Sequence, residues 1–157
     1  MRVICAYGTR PEHIKLAPVV AALRAEGVEV VEWRSGQQKD LAPDPEQGEN
    51  FRWSANGLTF GIASCMEEFD MEFEVAEKPF DAVIVQGDTA TAFACAQAAF
   101  LARVPVAHVE AGMRTYASEP WPEEAFRRQI AAVARWHFCP GEDEAGNLLH
   151  ECGKGGL

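Results

Sequence analysis

The chain repeats one pattern from its first residues onward: a short apolar, β-branched run, then a polar turn, then a helical segment. The runs at 2–7, 80–86 and 104–109 each lead directly into such a turn. Strands that alternate with helices are typical of a parallel sheet, because each parallel connection must return to the other end of the sheet. We therefore expect an α/β fold with a Rossmann-like parallel sheet, helices on both faces and the strand order 3-2-1-4-5.

The full pattern predicts strands at 2–7, 28–33, 80–86, 104–109 and 136–139, and helices from Pro11 to Gly27 and at 62–75, 90–102, 123–134 and 142–150. Pro18 is expected to break or kink the first helix. Residues 41–56 contain prolines and a glycine and predict an irregular excursion, anchored by Phe51 and Trp53. The ending, 153–157, is expected to fray. With no repeat and no long linker, residues 1–157 are expected to form a single domain.

Composition excludes several classes of function. The formal net charge of −10 argues against nucleic-acid and anionic-membrane binding, because both require a basic surface. No apolar run approaches the roughly 20 residues that span a bilayer, and no signal peptide is visible. The five cysteines are odd in number and lack CxxC spacing, which favours reduced thiols and a cytoplasmic location. The scattered histidines predict no metal site.

Three strand-to-helix junctions, at 8–15, 87–91 and 110–124, carry the polar and ionisable residues. In a parallel sheet they emerge on the same edge, where open α/β folds bind ligands. The first offers Gly8, the amides of a helix N-terminus, Arg10 and Lys15, which together suit a phosphate. No P-loop or GxGxxG spacing is present, so this loop taken alone favours a capped helix with two solvent-facing cations.

The other two junctions supply carboxylates. Asp88 follows an apolar strand and is either a helix cap or a general acid or base. Glu110 and Glu123 belong to the third junction, and two carboxylates in one cleft can have pKa values far enough apart to act as an acid–base pair. His108, inside its strand, is interpreted as a hydrogen-bonded core histidine. The cations available to hold a carboxylate ionised are Arg114, Arg127 and Arg128.

Five segments carry a resemblance to a known family: 8–15 (GTRPEHIK), 35–38 (SGQQ), 86–89 (QGDT), 108–115 (HVEAGMRT) and 120–124 (PWPEE). In this order and spacing they resemble the N-terminal half of the UDP-N-acetylglucosamine 2-epimerases. The resemblance implies half of a glycosyltransferase-B-like fold, in which two Rossmann-like domains hold a nucleotide sugar between them. It also implies a role in cell-surface polysaccharide biosynthesis, without a cofactor or a metal.

The reaction implied is elimination of UDP from the sugar, followed by re-addition to give the epimer at C2; hydrolysing relatives release N-acetylmannosamine instead. Asp88, Glu110 and Glu123 match the family carboxylates that do acid–base work. Arg10 and Lys15 match positions near the active site. Gln38, where the family usually has a histidine, and Arg114 complete the expected substrate-binding set.

The chain ends where the second domain of the family is expected to begin. Four interpretations follow from this. The chain is one half of a split or truncated epimerase completed by a second chain, a non-catalytic domain that binds a nucleotide sugar, a structural or interaction module, or an enzyme completed by homo-oligomerisation. A UDP-sugar is the expected ligand in the first two and the last.

Overall fold

The computed structural model describes residues 1–38, Trp53 and 57–152, with the backbone alone at Cys152. Strands and helices alternate along the chain as the sequence predicts. The strands are β1 (Arg2–Tyr7), β2 (Glu29–Arg34), β3 (Ala82–Gln86), β4 (Val106–Val109) and β5 (Trp136–Phe138). The helices are α1 (Arg10–Ala25), α2 (Leu58–Val75), α3 (Ala90–Leu101), α4 (Glu123–Val133) and α5 (Glu142–Cys152).

The five strands form one parallel sheet in the order β2-β1-β3-β4-β5. The α/β class is confirmed, but the predicted order 3-2-1-4-5 is wrong, because β3 pairs with β1 and not with β2. Burial explains this arrangement: β3 is buried along its whole length, whereas β2 is largely half-exposed. Interior parallel strands are covered on both faces, so β3, which is apolar up to Gln86, lies inside and the glutamate-bearing strand lies at the edge.

Alternate residues of the strands point to two separate cores, one on each face of the sheet. On one face, Val3, Cys5 and Tyr7 of β1 pack with Leu16 and Val20 of α1. On the other face, strand residues pack against α2, α3 and α4 in a larger core with Trp33 and Phe69 among its members. The helices therefore cover both faces, and α1 lies on the opposite face from α3.

Helix α3 is the alanine-rich segment, which the sequence predicts to be buried or packed against a partner. The chain itself buries it, since α2 and α4 contact it and eight of its residues, from Ala90 to Ala99, are buried. Alanine has little side chain to hold the backbones apart, so three helices pack closely over the sheet. In α1, Pro18 lies inside a helix that continues to Ala25, so the expected break is absent. Pro18 is exposed, and water can satisfy the carbonyl that its missing N–H leaves free.

The predicted excursion at 41–56 and the fraying end at 153–157 lie outside the described residues, except for Trp53. The indole of Trp53 packs against the larger core and lies directly over Gly61 of α2, which confirms its interpretation as an anchor. Within the part of the chain that the structure describes, no helix is long and apolar enough to span a bilayer.

Gly8, which directly follows β1, provides a test of the packing at the end of the sheet. A Cβ at this position would overlap the hydroxyl oxygens of Thr91 and Ser35. Because overpacking a rigid site costs about 1–3 kcal/mol, we expect Gly8→Ala to lower the free energy of unfolding by about 2 kcal/mol, measured by urea denaturation. The matched control is Gly146→Ala in α5, where a new Cβ meets no atom within 4 Å and stability should be unchanged or higher. Equal stability of the two variants would contradict this packing.

Candidate functional site

The candidate site is a cleft of about 280 Å³ at the carboxyl edge of the sheet. The chain leaves β1 toward β2 and later returns to place β3 on the other side of β1. Open α/β sheets bind ligands at such a switch point, because the loops diverge there to opposite faces. The cleft is lined from the β1–α1 loop, the β3–α3 loop and the segment after β4, including Thr9, Lys15, Gln86, Asp88, Glu110 and Arg127.

One wall of the cleft is organised around Glu110, the residue that follows β4. Its carboxylate accepts hydrogen bonds from Lys15 Nζ of α1, at 2.5 Å, and from the amide nitrogen of Gln86 at the end of β3. The backbone of Glu110 has φ of 63°, a left-handed conformation that non-glycine residues rarely adopt. Rare backbone conformations of this kind persist where the surrounding structure enforces them, and they cluster at functional sites.

Asp88 also lines the cleft and pairs with the guanidinium of Arg127 from α4. Arg127 also lies 3.5 Å from the buried carboxylate of Glu124, which accepts hydrogen bonds from Arg128 Nε and the Thr115 backbone N–H. Burial alone would raise the pKa of Glu124, but the N–H of Thr115 and the charge of Arg128 hold it below its ordinary value. Glu124 therefore presents a fixed negative charge behind Arg127 and holds the guanidinium toward Asp88.

Glu12 connects the two loops on either side of the crevice. It is 1% exposed, and its Oε2 accepts hydrogen bonds from the N–H groups of Gly8 and Thr9 and from the Thr9 hydroxyl. Its Oε1 accepts a hydrogen bond from the Thr89 hydroxyl at 2.7 Å. Burial raises the pKa of Glu12, and these donors oppose that shift. A buried carboxylate without such partners would be costly.

The N-terminus of α1 is closed by the protein's own groups. Glu12 takes the amides of Gly8 and Thr9, and the side-chain oxygen of Gln38 takes the N–H of Arg10 at 2.8 Å. The predicted cap is therefore confirmed. Of the two cations expected to face solvent, Arg10 is exposed, whereas Lys15 is half-exposed and pairs with Glu110. Gln37 does the same for α3, since its Oε1 accepts hydrogen bonds from the N–H and hydroxyl of Thr91.

The structure brings Lys15, Asp88 and Glu110 together in the cleft, and it places the remaining predicted site residues elsewhere. The side chain of Arg10 is exposed at the first position of α1. Glu123 is half-buried in the first turn of α4, outside the lining of the cleft. The side chain of Arg114 is buried and forms a two-point ion pair with Glu151 of α5, which lowers the pKa of that carboxyl.

Two residues that line the cleft are not singled out by the sequence reasoning. Glu12 stands three residues after Thr9, and a Thr-x-x-Glu spacing at a helix start is a capping-box signal that could have identified it. Gln86 ends an otherwise apolar strand, and a buried amide at that point requires a partner. Neither pattern identifies the partner from another loop, because Thr89, which donates to Glu12, and Glu110, which accepts from Gln86, are distant in sequence.

The structure confirms the interpretation of His108 as a hydrogen-bonded core residue. Its side chain is fully buried in β4, and Nε2 lies 2.7 Å from the carbonyl oxygen of Gly87. Burial lowers the pKa of His108 from its ordinary 6.5 to about 4. Across the described ranges, no group of three or more His, Cys, Asp or Glu side chains is arranged to hold a metal ion.

Comparison with known proteins identifies relatives of one kind. The sequence model of the family described as UDP-N-acetylglucosamine 2-epimerase matches residues 55–154. The UDP-N-acetylglucosamine 2-epimerase of Neisseria meningitidis serogroup A is 36% identical over 171 residues, covering 96% of this chain and 43% of the relative.

Two solved structures agree with this match. The N. meningitidis epimerase bound to UDP-GlcNAc has a TM-score of 0.83 at 34% identity, covering 96% of this chain and 43% of that one. The Methanocaldococcus jannaschii epimerase in complex with UDP-GlcNAc and UDP has a TM-score of 0.84 at 30% identity, with 96% and 43% covered. The chain thus spans less than half the length of these relatives and corresponds to their N-terminal portion.

The burial of His108 predicts a pH dependence of stability. The unfolded chain binds a proton at this residue near pH 6.5, whereas the folded chain resists protonation until about pH 4. Between these values the unfolded state binds more protons, so the free energy of unfolding falls as the pH is lowered, by up to about 1.4 kcal/mol per pH unit. His108→Gln keeps an N–H donor for Gly87 but cannot be protonated. We expect it to flatten the slope by roughly 1 kcal/mol per pH unit in urea denaturation between about pH 5 and 6.5.

The matched control for this measurement is His150→Gln, because His150 is exposed near the end of α5, away from the strand that carries His108. This substitution should leave the slope as it is in the unmodified chain. If His108→Gln and the unmodified chain had the same slope, the assignment of that pH dependence to the buried imidazole would be refuted.

Proposed function

The chain belongs to the UDP-N-acetylglucosamine 2-epimerase family, and from this we propose that it provides the acid–base wall of an active site that epimerises UDP-N-acetylglucosamine at C2. The cleft supports this proposal through one observation. Two carboxylates, Asp88 and Glu110, line the same cleft, and each is paired with a cation from a different helix, Arg127 of α4 and Lys15 of α1. Paired carboxylates in one cleft are suited to moving protons at two positions of a substrate.

The proposed reaction has two balanced steps. In the first, one carboxylate takes the proton from C2, the C–H electron pair forms a C1–C2 double bond, and the bond from C1 to the diphosphate oxygen breaks to release UDP. In the second, a protonated carboxyl on the opposite face gives its proton to C2, the C1–C2 double bond supplies the electron pair of the new C–H bond, and the diphosphate oxygen of UDP forms the bond to C1, which gives UDP-N-acetylmannosamine. The second carboxylate assists the departure and return of the C1 oxygen. Glu123 is the third proposed acid–base group, at the start of the helix that carries Arg127.

The substrate-binding residues are proposed to be Lys15, Arg10, Gln38 and Arg114. Lys15 lies in the cleft, where its ammonium suits the diphosphate. Arg10 is exposed at the start of α1, so its side chain is accessible to a ligand that approaches this edge of the sheet. Gln38 supports the same loop through the N–H of Arg10. Arg114 contributes through its placement of the segment after Glu110, because its guanidinium pairs with Glu151.

Residues 1–157 are proposed to form one Rossmann-like domain that works with a second half. The relatives are more than twice as long as the matched portion, so the groups on the other side of the sugar are proposed to lie in a half that corresponds to the rest of those relatives. Catalysis requires groups on both sides of the substrate and the exclusion of water. The free thiols of Cys5, Cys65, Cys95 and Cys139 support a reducing, cytoplasmic location.

The test measures the incorporation of solvent deuterium at C2 of UDP-N-acetylglucosamine, which proton NMR monitors in deuterated water. The chain is fused to the portion of the N. meningitidis relative that lies beyond the matched segment. We expect deuterium at C2 in the fusion, and a fall of about 10²–10⁴-fold in its rate in Asp88→Asn and in Glu110→Gln, because each removes one proton-transfer group.

The matched control is Asp143→Asn, an exposed carboxylate of α5 away from the cleft, which should leave the exchange rate unchanged. Exchange in Asp88→Asn and Glu110→Gln at the rate of the unsubstituted fusion would remove both residues from acid–base work. A fusion that binds UDP-N-acetylglucosamine in calorimetry but shows no exchange would favour the interpretation of the domain as a binding module.

A further inference from the structure

A buried side chain, Glu12, directly joins the two loops that form the crevice. Glu12 lies in the first turn of α1, on one face of the sheet, and Thr89 is the N-cap of α3, on the other face. The Glu12 carboxylate uses one oxygen for its own loop, at Gly8 and Thr9, and the other for Thr89. It therefore spans the gap between adjacent strands β1 and β3 at the point where their helices diverge.

The position of Glu12 relates it to the charged residues of the cleft. Lys15, which holds Glu110, is on the same helix less than one turn further on. Asp88 directly precedes Thr89, which also fixes the start of α3 by accepting the N–H of Ala92 at 3.0 Å. A change in the distance between Glu12 and Thr89 would therefore change the distance between the Lys15–Glu110 pair and Asp88.

We propose that Glu12 is a positioning residue that sets the width of the cleft by linking the β1–α1 and β3–α3 loops. The link is independent of any reaction, while its consequence for catalysis rests on the proposed epimerase function. The competing explanation is that Glu12 only caps its own helix. The two explanations differ on the far side of the crevice, because a simple cap has no effect on α3.

Two substitutions separate length from charge. Glu12→Asp keeps the negative charge but shortens the side chain by one methylene. Its carboxylate can stay with the N–H groups of Gly8 and Thr9, but it cannot also reach Thr89. Glu12→Gln keeps the length; its oxygen can accept from Gly8 and Thr9 while its NH₂ group donates to the Thr89 hydroxyl, which rotates to accept. If the length of the Glu12 side chain positions the two loops, Glu12→Gln should preserve the link and Glu12→Asp should break it.

Amide hydrogen exchange on the unfused chain, read residue by residue by NMR, tests the link. In Glu12→Asp we expect the amide of Ala92 to exchange at least about tenfold faster, while those of Gly8 and Thr9 change by less than about threefold. Glu12→Gln should match the unmodified chain at all three amides. Glu26→Gln, at the exposed end of α1, is the control for the loss of one charge and should also match.

The proposal is overturned if Ala92 keeps its protection in Glu12→Asp, or if Glu12→Gln loses as much protection as Glu12→Asp. The deuterium assay on the fusion then tests the consequence for catalysis. There, Glu12→Asp should lower kcat by about 10–100-fold with KM changed by less than about threefold, and Glu12→Gln should retain activity. An unchanged kcat beside faster exchange at Ala92 would refute the positioning role. If the unsubstituted fusion shows no C2 deuterium, the epimerase proposal fails, and hydrogen exchange at Ala92 still decides whether the link exists.

Discussion

The arrangement of the site depends on the crevice that the strand order creates. Because β3 joins β1 on the side opposite β2, α1 and α3 start from neighbouring strands and run along opposite faces. Their N-terminal turns therefore face each other across a gap that no backbone ladder can close. Side chains must satisfy the amides at this edge, and Glu12, Gln37 and Gln38 do so from within the chain. The remaining charged groups lie around a preformed cleft.

Charge pairing across elements gives this cleft its internal order. Glu110 after β4 is held by α1 and β3, and Asp88 after β3 is held by α4. Each carboxylate is thus fixed by elements that are far from it in sequence, so the fold as a whole sets the distances between them. The negative charge of Glu124 lies 3.5 Å from Arg127 and restricts the conformations of its guanidinium. An arginine alone on the surface would keep that conformational freedom. A network of this kind positions groups for chemistry at a cost in desolvation that the surrounding hydrogen bonds offset.

The sequence predicts the elements of this fold better than their order. Apolar patterns identify every strand and helix of the structure. Burial explains the pattern for strands β1 to β4, whereas β5 is exposed along its whole length. The order of strands depends on which strand is covered on both faces. The glutamates of β2 and their absence from β3 are the local cue that places β2 at the edge of the sheet and β3 inside it. For the site, Asp88 and Glu110 are found because strand ends converge. The pairing of Arg114 with α5 depends on a contact 37 residues away that no local pattern encodes.

The groups that stabilise the described domain are largely separate from those that line its cleft. The larger core is complete around α3, which α2 and α4 cover, and it includes no residue of the Lys15–Glu110 or Asp88–Arg127 pairs. The residues that form this core are therefore different from the residues of those ion pairs. Under the proposed function the chemistry has a different requirement, because proton transfer at a sugar carbon needs the substrate held from both sides and water kept out. The carboxylates of the cleft would then need the part of the relatives' length that this chain does not match in order to enclose a substrate, whereas the two cores of the sheet are formed by the described residues.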